Sequence, residues 1–177
     1  MAIWLQETKN GSYKLSDETL QLTHFLGVAN YIAALDTICG NARNNLFIFD
    51  KDFINCGFNS QVRVEKLNKF LLSNPNNRLL LLAHDIYPLS QHCPRLMSLL
   101  RQFSHNMLIY QTPKHLQNLS EPFVVADELQ YARRFHFNDN RGVIALNDGE
   151  GAHRLKIRFM EMWAESSQNI STATFSL

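Results

Sequence analysis

Three cysteines in 177 residues, Cys39, Cys56 and Cys93, are an odd number without paired spacing. That argues against a disulfide framework and fits a reducing compartment. A surplus of either charge is missing too: 17 Lys and Arg face 16 Asp and Glu, for a net charge of +1. No whole-molecule field therefore draws the chain to nucleic acid or to an anionic membrane surface, although a local basic patch is compatible with this balance. Long hydrophobic runs do not occur. No stretch approaches the roughly 18 uninterrupted apolar residues of a spanning helix, and the opening MAIWLQETKNG has neither a basic n-region nor a long apolar stretch. Neither export nor membrane insertion is expected, and the cytoplasm is the simplest location. Internal repeats and low-complexity linkers are also lacking. What remains, 45% hydrophobic and 19% charged residues, suits one compact soluble domain with a sizeable core.

Within that bound the apolar pattern alternates between helix and strand. Ser16 followed by Asp17 and Glu18 has the chemistry of a helix start, and the pattern predicts a helix over residues 17–42. Its stripe is Leu22, Phe25, Leu26, Ala29, Ile32, Ala33 and Leu35. LFIFD, beginning at Leu46, is a strand covered on both faces. Ser60 opens a second helix through residue 73, which the proline and asparagines of SNPNN stop. RLLLLAHD is a second buried strand, Pro94 starts another helix, and MLIYQ is a third strand. This alternation predicts right-handed crossovers and parallel pairing. PFVVAD and YARRFHF then lie too close together for a crossover helix and predict an antiparallel pair turning at Asp127 and Glu128. RGVIALND supplies another strand. A last helix over about residues 150–167 carries Leu155, Phe159, Met162 and Trp163 on one face, and the tail 169–177 is expected to be loose. The fold class is α/β, a mixed sheet flanked by helices.

This order of elements, with LFIFDKD, RLLLLAHD, MLIYQT, PFVVAD, RGVIALND and the closing LKIRFMEMWAESS, resembles the half-domain of the phospholipase D superfamily. The likeness spans residues 44 to 168 and is nearest to small bacterial domains of this type rather than to the lipases. It implies three segments: residues 1–43 with an extra N-terminal helix packed on the core, the α/β domain 44–168, and the tail 169–177. Active members carry H-x-K-x-x-x-x-D, followed later by a Gly-Ser and an Asn. The histidine attacks phosphorus, while the lysine and asparagine neutralise the phosphoryl oxygens. Set on this chain with Asp127 at the acidic position, the resemblance puts Pro122 at the lysine position and Ser120 at the histidine position. Asn147 stands near the downstream asparagine, without the Gly-Ser pair. The resemblance thus implies a degenerate site and, because the superfamily joins two half-sites, a homodimer.

Other clusters carry chemistry outside that motif. Ligands of open parallel sheets sit beyond the carboxyl ends of the strands. Asp50, Asp52, His84 and Asp85 follow the first two strands there, the pattern of a Mg²⁺ or Mn²⁺ site or a general base pair if they converge. The alternative is that they cap turns. Arg133 and Arg134 point to opposite faces of their strand, and Arg134 is expected to share a face with His136, a pair suited to phosphate, although the plainer expectation is an exposed strand face with Arg paired to Asp127, Glu128 or Asp139. Tyr131, Phe135 and Phe137 are read as core rather than as a base-stacking platform. His84, His92, Cys93 and His105 match no standard zinc spacing, while Cys93 beside a helix start is a candidate for a lowered thiol pKa.

The expectation is a noncatalytic binding or regulatory module, with a metal-assisted hydrolase or phosphodiesterase at the strand ends as the alternative. The binding candidates are Asp127, Arg134, His136 and Asn147; the catalytic candidates are Asp50, Asp52, His84 and Asp85. No cofactor and no committed metal site are expected. Partners rank as a protein, then a phosphorylated small molecule, then nucleic acid.

Overall fold

The computed structural model describes residues 5–7, 13–15 and 19–167 of the chain. The elements in order are β1 (Leu5–Glu7), β2 (Tyr13–Leu15), β3 (Gln21–Leu26), α1 (Val28–Asn41), β4 (Asn45–Asp50), α2 (Gln61–Ser73) and β5 (Arg78–Ala83). They continue with α3 (Leu89–His92), α4 (Pro94–Gln102), β6 (Met107–Gln111), β7 (Phe123–Ala126), β8 (Gln130–Arg134), β9 (Arg141–Leu146) and α5 (Gly149–Glu165). β1 and β2 form a small antiparallel ribbon. The other strands make one sheet in the order β3-β9-β8-β7-β4-β5-β6. β4, β5 and β6 are parallel, and β7, β8, β9 and β3 extend the sheet antiparallel from β4. The mixed α/β sheet is the one the pattern predicts, with helices on both faces.

Strand alternation divides the interior in two. On β4, Leu46 and Ile48 face the layer of α1, α2 and α4, while Phe47 and Phe49 face α5. On β5, Leu79, Leu81 and Ala83 take the first side and Leu80 and Leu82 the second. Runs without polar residues are what a strand covered on both faces requires. Local chemistry sets the helix ends: Ser60 Oγ accepts the Arg63 amide at 3.2 Å, and Asp148 accepts that of Gly151 at 2.9 Å. Pro94 occupies the first turn of α4, where its missing N–H costs nothing. Trp163 of α5 stacks on Tyr110 of β6 at 4.0 Å between centroids.

Two boundaries differ from the sequence reading. The helix expected over 17–42 begins at Val28, and residues 21–26 form β3, paired with β9 from Gln21↔Leu146 to Leu26↔Arg141. Leu22 and Leu26 are exposed, so their helical spacing with Phe25 was coincidental; only Phe25 turns inward, stacking on Tyr31. Gly27, at φ 99°, makes the corner that separates strand from helix. The Ser16 cap and the tail 169–177 lie outside the described residues. Opposite Phe25, Gly142 leaves the ring its space: a Cβ there would stand 2.3 Å from both the Phe25 ring and the Arg133 carbonyl. The second difference is β8, which stops at Arg134 instead of running through residue 137. Arg134 curls the chain back by donating to the carbonyls of Asp139 (Nε, 2.8 Å) and Phe137 (Nη2, 2.6 Å). No helix among the described residues is long and apolar enough to cross a membrane.

Candidate functional site

β7 runs antiparallel to β4, so its start and its end lie at opposite ends of the sheet. Ser120 and Pro122 precede β7 and sit beside the carboxyl ends of the parallel strands. The Ser120 carbonyl accepts the Phe137 amide at 2.7 Å, and the buried Pro122 offers its carbonyl to the Arg134 amide at 3.0 Å. Asp127 follows β7 at the other end. Its carboxylate accepts three backbone amides, from Arg43 (2.7 Å), Asn44 (2.8 Å) and Asn45 (2.9 Å), which fixes the chain as it enters β4. Asp127 and Glu128 both have positive φ, 54° and 52°, giving the tight reversal between β7 and β8. Asn147, at φ 57° after β9, is also at the Asp127 end, and β7 lies between it and Ser120.

The strand-end cluster does not converge. Asp50 continues the Leu46 and Ile48 side of β4 and contacts Cys56. His84 continues the Leu80 and Leu82 side of β5, against the rings of Phe49 (5.1 Å) and Phe137 (5.6 Å). Alternation thus sends the two to opposite faces, although the strands are neighbours. Asp52 and Asp85 fold back on their own turns, accepting from the amides of Ile54 and Tyr87 at 3.0 Å each. Among the described residues no three His, Cys, Asp or Glu side chains come together as a metal site.

Two of these groups are nonetheless perturbed. Asp50 is 6% exposed, and burial raises its carboxyl to about 6, against the opposing effects of the Cys56 and Lys51 hydrogen bonds. Nearby Tyr31 is pushed well above its ordinary value by burial and by the Asp50 charge. His84 is lowered by burial, partly offset by its hydrogen bond to the Leu119 carbonyl. A neutral ring satisfies both contacts: Nε2–H donates to Leu119 O at 2.6 Å, and Nδ1 accepts from Thr112 Oγ1 at 2.5 Å. Neither nitrogen is left to attack a substrate or bind a metal in this arrangement.

The remaining candidates have local duties. Arg134 is committed to the two carbonyls of its loop and lies 5.3 Å over the Tyr31 ring, rather than pairing with a carboxylate. His136 lies beyond the end of β8 and does not share a strand face with Arg134; its Nδ1 accepts the Asn138 amide at 3.0 Å. Arg133 reaches Glu121 at 3.4 Å and covers Phe135, which is exposed and not the core residue expected, because the strand ends at Arg134; Tyr131 and Phe137 pack inward. Burial raises the Cys93 thiol to about 11, so the expected lowering is overturned; the side chain is enclosed and faces the Phe53 carbonyl.

The sequence reading missed Arg63, which is fully buried between α1 and α2. Its Nε donates to Asp36 at 2.5 Å, its Nη2 to Ile32 O at 3.2 Å, and its plane lies 4.9 Å over Phe58. The available signal was its place on the stripe it shares with Leu67, Phe70 and Leu71, three and four residues apart.

Comparison with solved structures places this architecture. Nuc from Salmonella typhimurium, a phospholipase D family member, superimposes with a TM-score of 0.62 at 8% identity, covering 86% of this chain and 99% of that one. NucT from Helicobacter pylori gives 0.61 at 10% identity, covering 85% and 99%. The archaeal chromatin protein TrmBL2, described with a novel mode of DNA binding, gives 0.63 at 14% identity; 86% of this chain corresponds to 55% of its length. These likenesses establish a phospholipase D-like fold. Comparison with curated protein sequences finds no match. The sequence pattern of one family, described as "Domain of unknown function (DUF7931)", spans residues 28–174 of this chain, from the start of α1 to beyond α5, and the chain belongs to that family.

Proposed function

We propose that this protein is a noncatalytic binding or regulatory module on a phospholipase D-like scaffold whose phosphoryl-transfer site is degenerate. The observation that carries the reading is the pair Ser120 and Pro122 at the head of β7, where the resemblance calls for an imidazole and an ammonium. A proline has no ammonium to offer a phosphoryl oxygen, and Ser120 has no hydrogen-bonded base among the described residues. The surrounding cations and imidazole support the same reading, because Arg134 and His84 already have protein partners. Three buried, unbridged cysteines suit work in a reducing compartment such as the cytoplasm. Since Nuc and NucT each match over nearly their whole chains, one copy of this protein carries one such unit, and a homodimer is part of the proposal. A strictly monomeric mass at all concentrations by light scattering would remove that part.

The test is turnover of bis(p-nitrophenyl) phosphate, single-stranded DNA and phosphatidylcholine vesicles. The expected rate is that of buffer for all three; hydrolysis that follows the protein through purification and is lost in Ser120→Ala sinks the proposal. A second reading, hydrolysis with Asp50 as the one strand-end base, since Asp52, His84 and Asp85 are engaged elsewhere, is favoured by its burial beside Cys56, which raises the carboxyl to about 6, a value suited to proton transfer near neutrality. Activity lost in Asp50→Asn and retained in Ser120→Ala would establish it instead.

A further inference from the structure

A cleft of about 1050 Å³ opens at the Asp127 end of the sheet, between the last turns of α1 and α2, the starts of β3 and β8 and the end of β9. It lies at the opposite end of β7 from Ser120 and Pro122, so it is not the superfamily's catalytic pocket. Three cations line it, Arg43, Lys66 and Lys69, and none of them has a carboxylate partner among the described residues. Lys66 reaches across to α1, where the bare backbone of Gly40 admits it; a Cβ there would stand 3.1 Å from Nζ.

The carbonyl ends of α1 and α2 carry roughly half a negative charge each, which offsets about one of the three cations. Asp127, whose carboxylate is held by the amides leading into β4, offsets about one more. About one positive charge is left over, which attracts one compact anionic group such as a phosphoryl without fully neutralising it and does not make a polyanion track. The rest of the lining is amide and hydroxyl. Gln130 is 8% exposed, its Oε1 accepts from Asn41 at 3.1 Å, and its Nε2 has no protein partner among the described residues. That donor is open to the cleft, where a ligand can take it. Asn147 and Ser73 add further polar atoms, and Phe70 and Leu146 give the cleft an apolar wall. The volume is that of a small-molecule site.

We propose that this cleft binds a phosphomonoester of a hydroxyl-bearing small molecule, a mononucleotide or a sugar phosphate. Arg43, Lys66 and Lys69 take the phosphoryl group, and Gln130 and Asn147 hydrogen-bond the body. This rests on the binding-module reading and supplies its ligand class.

The experiment is calorimetric titration of the full chain with AMP, glucose 6-phosphate, inorganic phosphate, adenosine and a twelve-nucleotide single-stranded DNA, with amide chemical shifts followed by NMR. AMP or glucose 6-phosphate is expected to bind with a submillimolar Kd, adenosine not at all. The shifts of Gly40, Asn41 and Gln130 should move while that of Gly57, which packs beside Ile32 in the first half of α1 and outside the cleft lining, stays fixed. Lys69→Glu and Arg43→Glu, both exposed, should each weaken binding at least tenfold with the melting temperature kept. The preferred phosphate ester tells nucleotide from sugar. Failure of both esters to bind, binding indifferent to the charge reversals, or binding of the oligonucleotide alone overturns the proposal. None of these results alters the hydrolysis assay that decides the noncatalytic reading.

Discussion

Asp50 and His84 end adjacent parallel strands, yet their side chains leave opposite faces of the sheet, one toward Cys56 and Tyr31, the other toward Phe49 and Phe137. Their side chains use different partners, Asp50 the Lys51 amide and the His84 ring Thr112 and Leu119; Lys51 links the two residues only through the backbone, its carbonyl accepting the His84 amide at 3.0 Å. Side chains that leave opposite faces couple weakly, so the stability changes of Asp50→Ala and His84→Ala are expected to add within about 0.5 kcal/mol in the double variant. Mn²⁺ or Zn²⁺ should leave the melting temperature unchanged. A coupling well beyond that figure, or a metal-induced rise abolished by either substitution, would show that the two act on one site.

Buried Asp50 gives the protein a pH dependence of definite sign. Its carboxyl lies at about 6 in the folded chain against 3.8 in the ordinary case. Between these values the folded chain holds the proton and the unfolded chain has released it, so stability falls as pH rises through that window. Below about pH 4 both states are protonated, and above about pH 6 neither is. The burden at neutral pH is roughly 3 kcal/mol. Asp50→Asn has no such proton, and its stability relative to wild type should climb by up to that amount between pH 4 and pH 7. Urea denaturation at the two pH values measures it; parallel curves for the two proteins would refute the burial of an ionisable carboxyl there.

The same residue shows where reading the sequence succeeds and where it stops. Leu46 to Phe49, Leu79 to Leu82 and the turn at Asp127 and Glu128 announce themselves, because continuous apolar runs and polar reversals are local properties of the chain. From these the mixed sheet and its helices followed. β3 has the sequence pattern of a helix because Leu22, Phe25 and Leu26 happen to fit a period of 3.6. What makes them a strand is the unpaired edge of β9, more than a hundred residues away. The polar strand ends are plain in the sequence, but convergence depends on which face each side chain takes, and a one-residue difference in where Asp50 and His84 leave their strands reverses that face. The cleft of Arg43, Lys66 and Lys69 had no signature, since it is assembled from α1, α2 and three strands that only the fold brings together.

Asp127 illustrates a motif residue whose observed contacts are structural. Its three amide hydrogen bonds and its αL backbone both favour Asp, which tolerates positive φ better than most residues. Asp127→Ala removes a charged acceptor from partly exposed donors and should cost about 2–3 kcal/mol. Asp127→Asn keeps one carbonyl acceptor and the backbone preference, and should cost about half as much. Chemical denaturation ranks the three proteins. An alanine variant as stable as wild type would remove the anchoring role.

Arg63 and Asp36 give the sharpest asymmetry. The guanidinium is wholly buried, Asp36 is 22% exposed at its side chain, and one guanidinium nitrogen, Nη1, has no hydrogen bond. Removing the acid strands a buried charge, whereas replacing the arginine by an apolar chain of similar length removes the charge and its unmet donor together. Asp36→Ala is therefore expected to destabilise by roughly 3 kcal/mol, and Arg63→Met by clearly less. Asp36→Ala combined with Arg63→Met should recover most of the loss of Asp36→Ala, because the acid has nothing left to balance. Denaturation of the four proteins under one condition completes the cycle. A double variant no better than Asp36→Ala would mean that Asp36 supports α1 by some route other than the charge it faces.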